Sequence, residues 1–224
     1  MDNLPVFIGF LFIATTLQTV FVFYKAAHHS KVALFVILAW LLLQGLVAQT
    51  GFYTVTDTLP PRFVLLVLPP VLLVIGLFLT KRGRYFLDNL DLKKLTLLHS
   101  VRVPVEIVLF LLATQKVVPE LMTFEGRNFD ILSGLTAPLV YFLYFVRQQI
   151  GRTSLLVWNV VCLLLLVNIV VNAALSAPFP STQQFAFEQP NIAVLYFPFV
   201  WLPSCVVPLV LVCHLAAIRR LVRR

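Results

Sequence analysis

From Leu155 to Val167 the chain reads LLVWNVVCLLLLV, with Asn159 as its one polar side chain. A helix that is apolar on every face has no side to offer water, so it must lie in a core or in lipid. Runs of this kind recur along all 224 residues. Hydrophobic residues make up 60% of the chain and charged residues 12%, about half the charged share of a soluble domain, and the mean hydropathy is +0.97. In hydrocarbon only helices and closed barrels satisfy their own backbone hydrogen bonds. A barrel needs alternating strands of roughly ten residues, and the runs here are longer and unbroken. The expected fold class is all-α: a polytopic membrane helix bundle of about seven transmembrane helices, forming one domain over residues 1–224.

At about 20 apolar residues per span, the expected spans are Leu4–Tyr24, Val32–Tyr53, Arg62–Thr80, His99–Val118, Ile131–Val146, Ser154–Leu175 and Ile192–Ile218. Pro69–Pro70 should kink the third. Pro198, Pro203 and Pro208 should kink or partly unwind the last. The N-terminal MDNLPVFIGF lacks a basic stretch and a small-residue cleavage site, so it reads as the start of a span.

Charge fixes an expected orientation. Lys25, Lys31, Lys81, Arg82, Arg84, Lys93, Lys94, Arg147, Arg152, Arg219, Arg220, Arg223 and Arg224 fall on one side, with Asp88 and Asp91. Arg62, Lys116 and Arg127 fall on the other, with Asp2, Asp57, Glu120, Glu125, Asp130 and Glu188. Thirteen basic residues against three place the first side in the cytoplasm, and only an odd number of spans alternates the loops this way. The N-terminus is expected outside and the C-terminus inside, in a plasma membrane, with a bacterial inner membrane as the default. Basic residues confined to short loops also argue against nucleic acid as a partner, despite the net charge of +8. The expected partners are the lipid bilayer and a small solute or ion. Cys162, Cys205 and Cys213 all lie in apolar runs and read as small hydrophobes rather than a disulfide framework.

Lys81–Leu98 is too charged to span and reads as an interfacial segment running into the fourth span, with Asp88 and Asp91 available to cap a helix. On the outer side, PELMTFEGRNFD and SAPFPSTQQFAFEQPN mix aromatics, acids and turn residues. They suit interfacial anchoring, or lids over the bundle mouth.

Ionisable residues inside a span are costly and often functional. His99, Arg102 and Glu106 follow i, i+3, i+7 spacing and share one helical face. Arg102 and Glu106, four apart, are placed to form an ion pair, and Pro104 leaves the Ser100 carbonyl without its usual donor. This is the pattern of a proton- or ion-coupling carboxylate beside an arginine; equally, it is the pattern of a pair that stitches helices together. Asn159, His214, Tyr144 and Gln18 fall at comparable depth and complete the expected polar cluster. Gln44, Gln49, Asn168 and Asn172 form a second, outer set, with Asn168 and Asn172 on one face. Polar residues of this kind more often serve as interhelical glue.

All four histidines fall on the basic side, which raises a metal or haem site, but no H-x-x-x-H or H-E-x-x-H spacing occurs. Nor does the chain contain G-x-S-x-G or a Walker-type glycine loop. The last span holds no lysine for retinal, and no D-R-Y or N-P-x-x-Y signature is present. No cofactor is therefore implied. The expected function is movement of a small solute or ion with Glu106 as the coupling carboxylate. The alternative is a non-catalytic membrane sensor, ligand-binding module or complex subunit. A membrane-embedded metal-dependent enzyme comes third.

Overall fold

A computed structural model describes residues 4–180 and 183–223. Asp2 and Arg224 of the charge count, and Ser181 and Thr182 of the second outer segment, lie outside the described residues. Helices account for the regular structure throughout, with no strand among the described residues.

Helix α1 (Val6–Ala26) ends where His28 and His29 adopt left-handed backbone conformations, φ 51° and 61°. The His29 N–H closes back on the Tyr24 carbonyl, a C-terminal capping turn. Ser30 then caps α2 (Lys31–Gln49) by accepting from the Ala33 N–H. Helix α3 (Val64–Leu79) runs through Pro69 and Pro70 without unwinding. The chain bends after Leu79, by 92°, into α4 (Lys81–Asn89). Gly83 makes this corner possible, because a Cβ there would lie 2.4 Å from the Leu77 carbonyl oxygen. Helix α4 turns Gly83 and Leu87 inward and leaves Lys81, Arg82 and Tyr85 exposed.

Asp91 caps α5 (Leu92–Leu98) as expected, accepting from the Lys93 and Lys94 N–H groups. A single 3-10 turn, His99–Val101, joins α5 to α6 (Arg102–Thr114), making one rod from Leu92 to Thr114. The change of helix type immediately precedes Pro104, which has no N–H to continue an α-helical ladder. The fourth long helix thus starts seven residues earlier than the sequence reading placed it. Arg102 lies ten residues, roughly 15 Å, into that rod, near its middle and not at its edge.

Helix α7 (Ile131–Tyr141) continues as a π-helical turn to Val146, and α8 spans Arg152–Leu175. A π turn, Leu202–Val206, leads into α9 (Val207–Arg223). The seventh expected span therefore loses its first ten residues: Ala193–Leu195 form a 3-10 turn, residues 196–200 are not helical, and the continuous helix begins at Leu202. Pro203 lies within the π turn and Pro208 follows it by two residues; neither has an N–H to continue an α-helical ladder, which accounts for the departure from α geometry.

Among the described residues five helices are long and apolar enough to cross a membrane: Val6–Ala26, Lys31–Gln49, Leu92–Thr114, Arg152–Leu175 and Leu202–Arg223. The bent pair α3–α4 would make a sixth, and Ile131–Val146 is a shorter apolar helix. The chain has the build of a membrane protein, with fewer full-length spans than the seven expected.

The two ends of the bundle are tied differently. At one end the Asp91 N–H donates to Ala26 O (2.9 Å), Arg152 donates to Leu221 O, and Arg220 donates to Leu90 O. Arg219 grips Asp88 with two hydrogen bonds of 2.7 and 3.0 Å, so Asp88 serves as an ion-pair partner and not as a cap. The Arg219 hydrogen bond holds the Asp88 carboxyl below the usual carboxylate range. A lowered folded value means stabilisation that is present above the ordinary Asp range, about pH 3.9, and lost as pH falls through the lowered one. Asp88 is 38% exposed, so the effect is small. Asp88→Asn should leave the melting temperature near neutral pH almost unchanged and flatten its decline in acid, as read by thermal unfolding at stepped pH.

At the other end, the Ile192 and Ala193 N–H groups donate to Val117 O (3.2 and 3.0 Å), and the Gln189 side chain donates to Ala113 O and Val118 O. The described residues of both connecting segments at this end pack onto the bundle, with Met122, Thr123, Asn128, Ala177 and Phe179 buried.

Candidate functional site: a buried polar cluster

The short helix α7 packs against the 3-10 turn through its small residues Ser133, Gly134 and Ala137, all buried. A Cβ on Gly134 would stand 2.8 Å from Val103 Cγ2, 2.9 Å from the Val103 nitrogen and 3.2 Å from Arg102 Cβ. Small residues at such a seam let helix backbones approach closely. Gly134→Ala should cost about 1–3 kcal/mol of stability through overpacking, and Gly134→Leu more; unfolding in detergent would measure both.

This close approach brings Asp130, at the start of α7, to Arg102. The Arg102 Nη1 donates to Asp130 Oδ1 at 2.6 Å, and both side chains are buried, at 3% and 7% exposure. Asp130 sits at the N-cap position of α7 without capping it; its carboxylate faces the guanidinium instead. The expected Arg102–Glu106 ion pair is not formed. Glu106 Oε1 accepts from Asn128 Nδ2 at 2.5 Å, while Asn128 Oδ1 accepts from the Asp130 N–H at 3.0 Å. Asn128 thus links the two acids.

On the other side of Arg102, Nη2 lies 2.9 Å from His214 Nε2, and His214 Nδ1 lies 3.0 Å from Asn159 Oδ1. A guanidinium only donates, so His214 Nε2 must present its lone pair and Nδ1 must carry the hydrogen. That hydrogen points at the Asn159 carbonyl oxygen, while Asn159 Nδ2 donates to Leu155 O at 2.9 Å. Every assignment along this branch agrees with the next. The His99 ring stacks on His214, centroids 3.8 Å apart and planes 13° apart, with Trp158 edge-on at 5.6 Å. The Trp158 N–H donates to Thr136 Oγ1 at 2.9 Å, which fixes the indole against the pair.

Of the expected cluster, His99, Arg102, Glu106, Asn159 and His214 come together. Gln18 does not: it is exposed on the outside of α1, where Thr15, Thr16 and Thr19 take the inward face and bond their own helix carbonyls. Tyr144 packs near Leu155, Val140 and Leu221 at the basic end, away from the network. In the outer set, Gln44 is buried and accepts from the Tyr53 hydroxyl, and Gln49 is exposed. Asn172 donates to the Asn168 carbonyl, and Asn168 donates to Arg127 O. Gln44 and Asn168 thus each tie a helix to a neighbouring connecting segment, and Asn168 and Asn172 bond each other. Asn128, Asp130 and Trp158 also belong to the network; the first two lie in the segment PELMTFEGRNFD, which the sequence places in an outer loop.

His28 and His29 lie at the end of α1, far from His99 and His214 in the fold. Among the described residues no group of three His, Cys, Asp or Glu side chains could hold a metal ion. The two histidines that do meet are stacked. Imidazole lone pairs lie in the ring plane, so nearly parallel rings 3.8 Å apart do not aim at one common ion.

The family described as "Domain of unknown function (DUF8737)" matches residues 59–222. The chain belongs to this family. The DUF8737 match contains every member of the cluster, from His99 to His214, and leaves α1 and α2 outside. No curated protein and no solved structure matches the chain.

Proposed function

We propose that this protein sits in a membrane by its long apolar helices, basic end toward the cytoplasm, and moves a small solute or ion with Glu106 as the proton-coupling carboxylate. The observation that carries this reading is the charge balance of the buried cluster. The cluster holds one guanidinium, Arg102, and two carboxyl groups, Asp130 and Glu106, with two imidazoles alongside. Uncompensated charge in an apolar interior is costly, so the cluster is neutral only when it holds one added proton. Asp130 is engaged by Arg102, whereas Glu106 is held only by a neutral amide. Glu106 is therefore the seat from which a proton can leave and to which it can return.

The test is uptake into proteoliposomes by wild type and Glu106→Gln, across a panel of solutes with and without a proton gradient. Gradient-dependent uptake by wild type alone supports the reading. If neither protein differs from empty liposomes under any condition, the transport reading fails.

A second reading has its own support. His99 and His214 are wholly buried and Glu106 is 2% exposed, as in a network that locks helices together in a non-catalytic membrane module. That reading expects wild-type and Glu106→Gln proteins to bind the same ligands or partners and to differ only in stability.

A further inference from the structure

Six buried side-chain nitrogen and oxygen atoms have no hydrogen-bond partner among the described residues, and four of them belong to this cluster. They are both ring nitrogens of His99, the Nε of Arg102 and the Oε2 of Glu106. These three residues share one face of the rod Leu92–Thr114. An unmade hydrogen bond at a buried polar atom costs about 1–3 kcal/mol, so a concentration of them on one face marks something the protein binds.

The chemistry of the four atoms selects the ligand. Arg102 Nε can only donate, Glu106 Oε2 can accept, and neutral His99 offers one donor and one acceptor. A metal cation would meet the Arg102 guanidinium. An anion would meet the carboxyl groups of Asp130 and Glu106. Only a small neutral molecule that both donates and accepts suits the whole set. Stacking on His214 leaves the His99 ring edge, where both nitrogens lie, as the part that can take up such partners.

We infer that the cluster is a binding site for internal water, whose molecules hydrogen-bond His99, Arg102 Nε and Glu106 Oε2 and connect the histidine pair to the carboxyl group. Buried water of this kind typically makes about three hydrogen bonds and is costly to remove. His99 and Glu106 are seven residues apart, roughly 10 Å along a helix, so more than one molecule is needed to join them. The site stands whether or not Glu106 couples transport. If it does, the water is the medium through which the proton reaches the stacked histidines.

The experiment is infrared spectroscopy of the full chain in lipid, comparing ordinary water with water labelled by oxygen-18. Wild type should show O–H stretching bands that shift with the label, and His99→Phe and Glu106→Leu should each lose part of that set. A high-resolution density map of wild type should show water within hydrogen-bond distance of Glu106 Oε2 and of a His99 ring nitrogen. Label-sensitive bands identical in all three proteins, or a map with no water at those atoms, would overturn the inference; the map decides it even if the variants fail to fold. Label-sensitive bands together with failed uptake would keep the water site and remove the transport reading.

Discussion

Arg102→Leu should destabilise the protein by about 3–5 kcal/mol, the usual cost of leaving one member of a buried ion pair behind. The loss falls toward the upper end of that range because Arg102 serves several groups at once. It donates to Asp130 Oδ1 at 2.6 Å and to Cys162 O at 3.3 Å, and it meets His214 Nε2 at 2.9 Å. Without it, the carboxylate of Asp130 has only Ser133 Oγ, at 3.5 Å, among its side-chain contacts. Asp130→Leu alone should be damaging for the converse reason. The double variant Arg102→Leu, Asp130→Leu should regain most of the loss, since an apolar pair of similar volume often replaces a buried salt bridge at little cost. Denaturant unfolding in detergent of the four proteins of this cycle gives the coupling directly. Additive losses in the double variant would mean that the two side chains do not act as a pair.

Glu106→Gln should have the opposite profile: a nearly unchanged fold and a reduction of proton-driven uptake by at least about tenfold, or roughly 1.4 kcal/mol in effective barrier. The amide is close to the carboxyl group in shape, and its oxygen can still accept from Asn128 Nδ2, as Glu106 Oε1 does. It removes only the capacity to gain and release a proton. Glu106→Leu is the informative contrast, because it also orphans the Asn128 amide, which would keep only Met122 O as its acceptor at 3.0 Å. Unfolding should then show a loss of about 1–3 kcal/mol that Glu106→Gln does not share. Equal uptake by Glu106→Gln and wild type, at equal protein density in the vesicles, would remove Glu106 from the coupling role.

The apolar runs made the helical class legible, and five of them are helices of membrane-crossing length. Boundaries were harder where charge and helix coexist. Lys93 and Lys94 argue for an interfacial segment running into the fourth span; Asp91 caps a helix that does run into it, and that helix carries both lysines as part of the rod itself. That shift moved His99 and Arg102 from the edge of the bundle to its interior. Direction of travel along each span placed Asn159 and His214 at the depth of Glu106; His214 meets Arg102, and Asn159 meets His214. It could not tell which side of α1 faces inward: threonines that bond their own helix backbone pack as readily as apolar residues, and they displaced Gln18 to the outside. Asn128 and Asp130 were hidden for a different reason. An acidic residue before an apolar helix reads as a cap on a solvent-facing loop. Only the tertiary approach of α7, permitted by Gly134, turns the Asp130 carboxylate toward Arg102.

The core's capacity to hold a proton is most directly read by infrared titration of the full chain in lipid, with carbon-13 in its glutamate carboxyl groups. A carboxylic-acid carbonyl band that carries the label, changes with pH and is missing from Glu106→Gln is the expected result. Spectra in which wild type and Glu106→Gln titrate identically would contradict a proton-carrying Glu106.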